Sequence, residues 1–400
     1  MVPVFWISCA IIGYVYVGYP ALLMVWARLR PRTIADTPSC AGPAVSIVIA
    51  ARNEGARLAK RIDNLLQLEH GGDRQIVVVS DGSTDDTLDV LAGYGASVDV
   101  VTVEAGGKAA ALNAGVAHAV HEIVVFADAR QVFATNALVE LTAPFRDPRV
   151  GAVTGELLLD CEARGQRRAD RRVHSSQAGP AIGPDRRRGA DRRAPAESSI
   201  ADGVGLYWRY EKQIRRYESA VGSTLGATGA IYAMRRSLWV PLPPETILDD
   251  VLAPMRAVLA GYRTVFNESA RAFDRTASDV DAEVARKVRT LAGNFQILRL
   301  EPRLLLPWAN PVWLQYVSHK LGRLVVPYAM LALIASSMVI ADRSLIYAAA
   351  LAAQCGFYLL AAYGAWLDQR GRMTASRMPA RFAATWPAAR SSDRPGALNA

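Results

Sequence analysis

The stretch IVVVSDGSTDDT, Ile76–Thr87, decides how the rest of the chain is read. Ile76 to Val79 are consecutive aliphatic residues, the pattern of a strand buried on both faces of a parallel sheet. Ser80-Asp81-Gly82-Ser83-Thr84-Asp85 then supplies a turn and the side chains that cap a following helix. In open α/β sheets, ligands are met just beyond the carboxyl ends of the strands, and Asp81 stands at such a place. Taken alone, the stretch leaves two readings open. Either Asp81, Ser83 and Thr84 make a turn and a cap, or Asp81 meets a soluble ligand.

Working outward, Val45–Ala50 is a buried strand and Glu54–Leu68 a helix with Leu58, Ile62, Leu65 and Leu66 on one face. Val98–Val103 is a further strand, Lys108–His118 a helix, and Ile123–Ala127 a strand ending in Asp128. Gly151–Leu159 and Ala227–Arg235 look like later strands. Asp249–Gly261 is a helix closed by Gly261, and Arg263–Phe266 is a short strand after it. Strands spaced by helices predict an α/β fold with a mostly parallel sheet covered on both faces. Acidic positions line up with this scheme. Asp81 follows the second strand, Asp128 the fourth, and Ala51-Arg52-Asn53-Glu54 closes the first. Asp249-Asp250 opens a helix, where the macrodipole favours carboxylates. Polar clusters converging on one sheet edge describe a site better than unrelated turns.

The two ends of the 400-residue chain are strongly apolar. Val4–Ala27 carries no charge and has the length of a membrane span. A cleaved signal peptide competes with a retained anchor, and the anchor is favoured because no small-residue cleavage site follows. Leu324–Ala341 and Leu345–Leu367 are two further spans joined by Asp342-Arg343-Ser344. Arg28, Arg30 and Arg32 follow the first span, Lys320 and Arg323 precede the second, and Arg370, Arg372, Arg377 and Arg381 follow the third. All fall on one side if the chain is a multi-pass protein of the inner (plasma) membrane with its middle in the cytoplasm.

The domain plan is therefore an anchor over 1–30, an α/β domain over 42–275, amphipathic interfacial helices over 280–320, spans within 324–367, and a disordered basic tail over 368–400. Ala282–Leu300 is a basic amphipathic helix, and Arg303–Gln315 mixes Trp308 and Trp313 with leucines and prolines, which suits a membrane interface. An Arg-rich insert, residues 160–200, has little to bury and is expected to be disordered, either as a solvated loop or as a contact to anionic lipid. Much of the net charge of +9 comes from this insert and the membrane-flanking clusters. The insert lacks interleaved aromatics, so a nucleic-acid partner is not expected. Cys9, Cys40, Cys161 and Cys355 are scattered and show neither metal-site spacing nor a disulfide framework. His118, His121, His174 and His319 have no ligand-like partners at useful spacing and are taken as structural or surface residues.

Several motifs in order carry a family resemblance: VSIVIAARNE (45–54), VVVSDGSTDDT (77–87), GGKAAALNAG (106–115), VVFADAR (124–130), GSTLGATGAIYAMRR (222–236), ILDDV (247–251) and SHKLGRLVVPY (318–328). Together they resemble the membrane-bound family 2 glycosyltransferases, the branch of cellulose, hyaluronan and poly-N-acetylglucosamine synthases. The resemblance implies a GT-A type, Rossmann-like, mostly parallel sheet with one N-terminal and two C-terminal transmembrane helices. It implies an inverting transfer of a sugar from a nucleotide donor, UDP by resemblance, to a lipid-linked or polysaccharide acceptor at the cytoplasmic membrane face. By position in the motifs, Asp81 would contact the nucleoside with Arg52 and Glu54 nearby, and Lys108 would face the diphosphate. Asp128 matches the first carboxylate of the family's DxD metal motif, for Mg²⁺ or Mn²⁺. Asp250 matches the general base of the TED motif, with Asp249 beside it. Arg286 and Arg289 stand where the family has QxxRW, reaching the diphosphate or lining the acceptor site.

Two departures stand out. Asp128-Ala129-Arg130 puts an arginine in place of the second DxD carboxylate. Either one carboxylate holds the metal with waters and phosphate oxygens, or Arg130 supplies charge to the diphosphate directly, which implies weaker metal dependence. Arg286-Lys287-Val288-Arg289-Thr290 lacks the Gln and Trp of QxxRW. That weakens the expectation of a secreted long polymer. Tyr207, Trp208 or Phe295 in the Trp's place has no support beyond its residue type. The alternative to an enzyme is a non-catalytic subunit that scaffolds a polysaccharide-synthesis complex.

Overall fold

The computed structural model describes residues 1–34, 42–159, 198–274 and 280–376. The Arg-rich insert, apart from its last residues, and the tail past Ser376 lie outside these. Two compact units emerge: residues 13–326, and residues 1–12 together with the chain from Pro327 on.

Val2–Gly13 (α1) and Tyr19–Leu29 (α2) are joined by a π-helical turn at Tyr14–Gly18. Val2–Leu29 is long and apolar enough to cross a membrane. The sheet begins at Val45–Ala51 (β1), followed by Gly55–Leu66 (α3), Arg74–Asp81 (β2), Thr87–Ala92 (α4), Asp99–Val103 (β3), Lys108–His118 (α5) and Ile123–Ala127 (β4). Val132–Phe133 (β5), Ala137–Thr142 (α6) and Val150–Leu159 (β6) come next, and then Ser198–Val221 (α7), Ile231–Arg235 (β7), Asp249–Leu259 (α8) and Arg263–Asp274 (β8). The eight strands lie in the order β3-β2-β1-β4-β7-β6-β8-β5. The β3-β2-β1-β4 half is parallel throughout. β7 runs antiparallel to β4 and to β6, and β6 returns parallel to β8. The mostly parallel α/β sheet expected from the sequence is therefore present.

The aliphatic run of β2 is explained by its two covered faces. Ile76 and Val78 join Ile47 and Ile49 of β1 against Leu58, Ile62 and Leu65 of α3. Val77 and Val79 join Val48 on the other face, against Leu112 and Val116 of α5 and Leu252 and Val258 of α8. Each such side chain, fully buried, contributes about 1.5–3 kcal/mol, so strand and helices lock together by apolar area alone. The chain leaves β1 for β2 on one side while β4 lies on the other. This opens a crevice at the carboxyl edge, where Asp81, Arg52 and Asp128 emerge.

Two elements of the sheet differ from expectation. The strand expected over Ala227–Arg235 is confined to Ile231–Arg235, because Ala227 and Gly229 bond α8 instead. The strand expected to stop at Phe266 continues to Asp274 and pairs with the two-residue β5. β5 is too short for any periodicity to reveal it.

Val280–Leu300 (α9), Trp313–Gln315 (α10), Gly322–Ile340 (α11) and Leu345–Ser376 (α12) complete the chain. The last helix continues past Leu367, where the basic tail was expected to begin. Trp313–Arg343 and Leu345–Gly364 are, like Val2–Leu29, long and apolar enough to cross a membrane. The first of these starts well before Leu324 because the helical run is continuous from Trp313. A π-helical run at Tyr316–Leu321 turns His319 toward α7. His319 Nδ1 donates to Glu218 Oε1 at 2.6 Å, which also accepts from the Tyr19 hydroxyl at 2.9 Å. Arg323 pairs with Glu211, whose other oxygen lies 3.6 Å from His319 Nε2. His319 is thus structural, as expected.

Candidate active site

The polar turn after β2 divides its work between two tasks. Ser83, Thr84, Asp85 and Thr87 fasten the loops. The Ser83 hydroxyl accepts from Asn53 N–H at 3.2 Å, and Thr84 N–H donates to Asn53 Oδ1 at 2.8 Å. Asp85 accepts from Gly55 N–H and Thr87 N–H at the starts of α3 and α4. These residues tie the turn to the starts of α3 and α4. Asp81 takes no part in that. Its carboxylate, 3% exposed, accepts from Gly106 N–H at 2.7 Å and Gly107 N–H at 3.0 Å. Gly107 has φ +83°, a conformation open to glycine, and it presents both amides to one carboxylate before α5 begins. Arg52 Nη1 lies 3.9 Å from Asp81, while Glu54 turns away to pair with Arg57 at 2.9 Å.

The same glycine turn aims Lys108, the first residue of α5, at the centre of the crevice. Its ammonium lies 3.3 Å from Asp128 Oδ1 and 3.3 Å from Asp249 Oδ2. Burial works against the Lys108 charge, but the carboxylates of Asp249, Asp128 and Asp250 outweigh it and hold its pKa above the usual lysine value. Asp249 shows the opposite balance. Burial, with the like charges of Asp250 and Asp128, pushes its pKa up to about 6 against the pull of Lys108. Asp250, the second residue of α8, is set by a close approach: its Oδ2 accepts from Gly229 N–H at 3.0 Å. A Cβ at residue 229 would meet that oxygen at 2.9 Å, so any larger residue there would push the Asp250 carboxylate from its place. Ala227 N–H donates to the Asp250 carbonyl at 2.7 Å, which fixes the backbone as well.

The floor is aromatic. Phe126 stacks on Tyr232, with ring centroids 4.5 Å apart, and on Trp239 at 5.0 Å. Burial, and then the charges of Asp249, Asp250 and Asp128, hold the Tyr232 phenol protonated far above its usual range. Behind Asp128, Arg61 is buried in α3 with its guanidinium 4.0 Å over the Phe133 ring. Burial lowers its pKa to about 9, although Asp128 opposes the shift.

Asp81, Arg52, Lys108, Asp128, Asp249 and Asp250 are thus assembled at one edge. Arg130 is held to the side: it pairs with Asp274 at 3.1 Å, and Gln131 donates to the same carboxylate at 3.0 Å. Arg286 and Arg289 are exposed on α9, and Arg289 donates to the Ile247 carbonyl at 3.5 Å. Sequence reasoning missed Asp274, because the end of β8 was not foreseen. It also missed Gly229, whose role depends on a contact across the fold. Lys320 had been read only as a flanking charge, yet the π-helical run brings it within electrostatic reach of Asp250 and Arg215. Arg215 donates to the Thr228 hydroxyl at 2.7 Å, next to Gly229. Among the described residues, no three His, Cys, Asp or Glu side chains gather at metal-ligand spacing. Asp128 offers a single carboxylate, and it fits a Mg²⁺-type ion that takes its remaining ligands from phosphate and water.

A parallel half-sheet with carboxylates at its carboxyl edge, joined to an antiparallel strand and a helix that opens on two aspartates, defines a GT-A class of nucleotide-sugar transferase fold. Residues 46–238 match the glycosyl transferase family 2 model and form a domain of that family. It is similar to a beta-monoglucosyldiacylglycerol synthase of Nostoc sp., 35% identical over 156 residues, covering 37% of this chain and 33% of the other. It is also similar to a poly-beta-1,6-N-acetyl-D-glucosamine synthase of Staphylococcus epidermidis, 31% identical over 115 residues, covering 28% of each. The chain therefore spans about a third of the length of the curated relatives it matches. A mannosyltransferase from Pyrobaculum calidifontis, solved with GDP-Man and Mn²⁺, shares the fold at a TM-score of 0.65 and 21% identity, over 93% of this chain and 97% of that one.

Proposed function

We propose that this protein is a membrane-anchored inverting glycosyltransferase that moves a sugar from a nucleotide donor to a lipid-linked or glycan acceptor at the cytoplasmic face of the plasma membrane. The observation that carries the proposal is the meeting of Asp250, Asp249, Lys108 and Asp128 at the sheet edge, with Asp81 anchored a loop away. UDP as the donor nucleotide rests on the motif resemblance, and the solved neighbour with GDP-Man makes GDP the alternative to include. Three apolar helices and the arginines after Leu29 support the orientation.

Asp250 is the general base. One carboxylate oxygen is held by Gly229 N–H, which leaves Oδ1 to take the proton of the acceptor hydroxyl. The acceptor oxygen then bonds to the anomeric carbon as the bond from that carbon to the donor diphosphate breaks. The configuration inverts because attack and departure are on opposite faces. Lys108 stands where the departing diphosphate gathers negative charge, and Asp249 and Asp128 hold its ammonium in place. Asp128 would be a ligand of a Mg²⁺ or Mn²⁺ ion, which when bound supplies counter-charge to the diphosphate. Arg130 is engaged by Asp274, so direct compensation by Arg130 in place of the metal requires it to leave that partner.

The test is full-length protein in lipid, incubated with a panel of UDP- and GDP-sugars while nucleotide release is followed with and without EDTA. One preferred donor, with release lost in EDTA and restored by Mg²⁺ or Mn²⁺, supports the proposal. No release from any donor at all, with or without an added lipid extract, sinks it.

A further inference from the structure

A second cationic site lies at the opposite, amino-terminal edge of the sheet. A cavity of about 380 Å³ is lined by Pro31, Arg32, Thr33, Arg149, Gly261 and Arg263. Arg149 immediately precedes β6 and Arg263 opens β8, so the floor belongs to rigid strands. The rim is the chain that has just left α2 at Leu29. That rim is pinned: Arg32 N–H donates to the Ala220 carbonyl at 2.7 Å, and Arg263 Nη2 donates to the Arg32 carbonyl at 3.0 Å.

The three guanidinium groups are in different states of satisfaction. Arg149 is bidentate to Asp147. Arg263 is 7% exposed and donates to the carbonyls of Gly222, Ser219 and Arg32, yet its Nη1 is buried without a partner. The exposed Arg32 makes no side-chain hydrogen bond or ion pair among the described residues. Burial, and then the like charges of Arg149 and Arg32, press the Arg263 pKa down, with Asp147 as the one opposing carboxylate. Converging guanidinium groups repel one another until an anion sits between them, and a planar fork suits phosphate and carboxylate oxygens. A phosphate is also the anion that a membrane presents within a few residues of a helix end. Arg28 and Arg30, exposed beside the rim, add to the local field.

We propose that this cavity binds the phosphate of an anionic phospholipid headgroup beside the end of α2. The inference rests on α2 being part of a membrane span, as in the proposed function, but not on any donor or acceptor.

Full-length protein in neutral detergent is mixed with phosphatidylglycerol or phosphatidylcholine of matched chains, and retained lipid is counted by native mass spectrometry. Phosphatidylglycerol is expected to be retained at least about fivefold over phosphatidylcholine. Arg32→Glu should abolish that preference and Arg32→Lys should restore most of it, both with unchanged melting temperature, since only the Arg32 main chain is used structurally. Equal retention of the two lipids, or an Arg32→Glu protein with the wild-type preference, overturns the proposal. So does a phosphate adduct formed from inorganic phosphate in place of any lipid preference, which would make this a free-phosphate site. Recovery of the protein in carbonate-washed membranes reports the span separately, so the two failures are distinguishable.

Discussion

The molecule places two groups of charges inside residues 13–326, and they are built on opposite terms. In the helical cluster each carboxylate touches a cation or donor: Glu218 has His319 and Tyr19, and Glu211 has Arg323 and His319. At the sheet edge Asp128 and Asp249 share one ammonium in contact, and Asp250, whose carboxylate also bears on Lys108, is held by a backbone amide. The first arrangement lowers the Glu211 pKa and the second raises that of Asp249. A closed set of pairs stabilises a fold, whereas carboxylates that outnumber the cations in contact with them favour a ligand that brings positive charge. On the proposed function the sheet edge is the place for a ligand, and the helical cluster is a fastener between α2, α7 and the π-helical run.

That distinction breaks most clearly at Asp250. Asp250→Asn should keep the Gly229 hydrogen bond, the fold and nucleotide binding, while sugar transfer falls by about 10²–10⁴-fold. Nucleotide affinity by calorimetry and product by chromatography separate the two. Transfer at wild-type rate would return Asp250 to a purely structural part. Glu218→Gln is the mirror experiment. It leaves His319 and Tyr19 facing a weaker acceptor in a buried place, with a stability loss of about 3 kcal/mol. The melting temperature in detergent should drop while activity per folded molecule stays near wild type. A variant that melts normally but has lost turnover would mean that the cluster serves chemistry after all.

How much of this contrast was legible in the sequence follows from the range of the interactions. The parallel half-sheet was readable because β1, β2 and β4 are continuous aliphatic runs and α3 repeats its leucines on one face, all local patterns. Asp81, Lys108, Asp128 and Asp250 were found through the motifs around them, and the fold brings them to one edge. What stayed hidden was set by pairing across long separations. Nothing near Arg130 announces Asp274, which lies at the end of a strand whose polar alternation resembles a loop. His319, Lys320 and Arg323 look like membrane-flanking cations until α7 is known to carry Glu211 and Glu218 opposite them. The division of SDGSTDD into a cap and an anchored carboxylate was likewise undecidable, because both use the same residue types.

Acid sharpens the contrast next. The pKa of Glu211, despite a burial that works the other way, is lowered to about 2 by its contacts with His319 and Arg323. A carboxylate depressed in the folded state contributes stability that is fully present above its unfolded value, near 4.5, and is lost as pH falls through about 2. The contribution is on the order of 3 kcal/mol at neutral pH. The wild-type melting temperature should therefore fall more steeply below pH 4.5 than that of Glu211→Gln, which has already lost the charge. Parallel curves for the two proteins would show that the pair carries no net stability.

Asp249 should behave with the opposite sign and a smaller size. Its folded pKa, about 6, is raised above the usual 3.8, so the folded protein holds that proton more tightly than the unfolded chain does. The resulting stability is present below pH 3.8 and declines as pH rises to about 6, beyond which the charged carboxylate is a constant burden. Asp249→Asn removes the burden and one partner of Lys108 together, for a net gain on the order of 1–2 kcal/mol at pH 8 that vanishes near pH 4. The same change frees the Lys108 ammonium from one of its two anchors, so donor affinity should weaken by about tenfold. A protein stabilised at pH 8 and impaired in donor binding is the signature of a charge kept for its ligand. A variant destabilised at every pH would instead place Asp249 with Glu211 and Glu218, as one more closed pair.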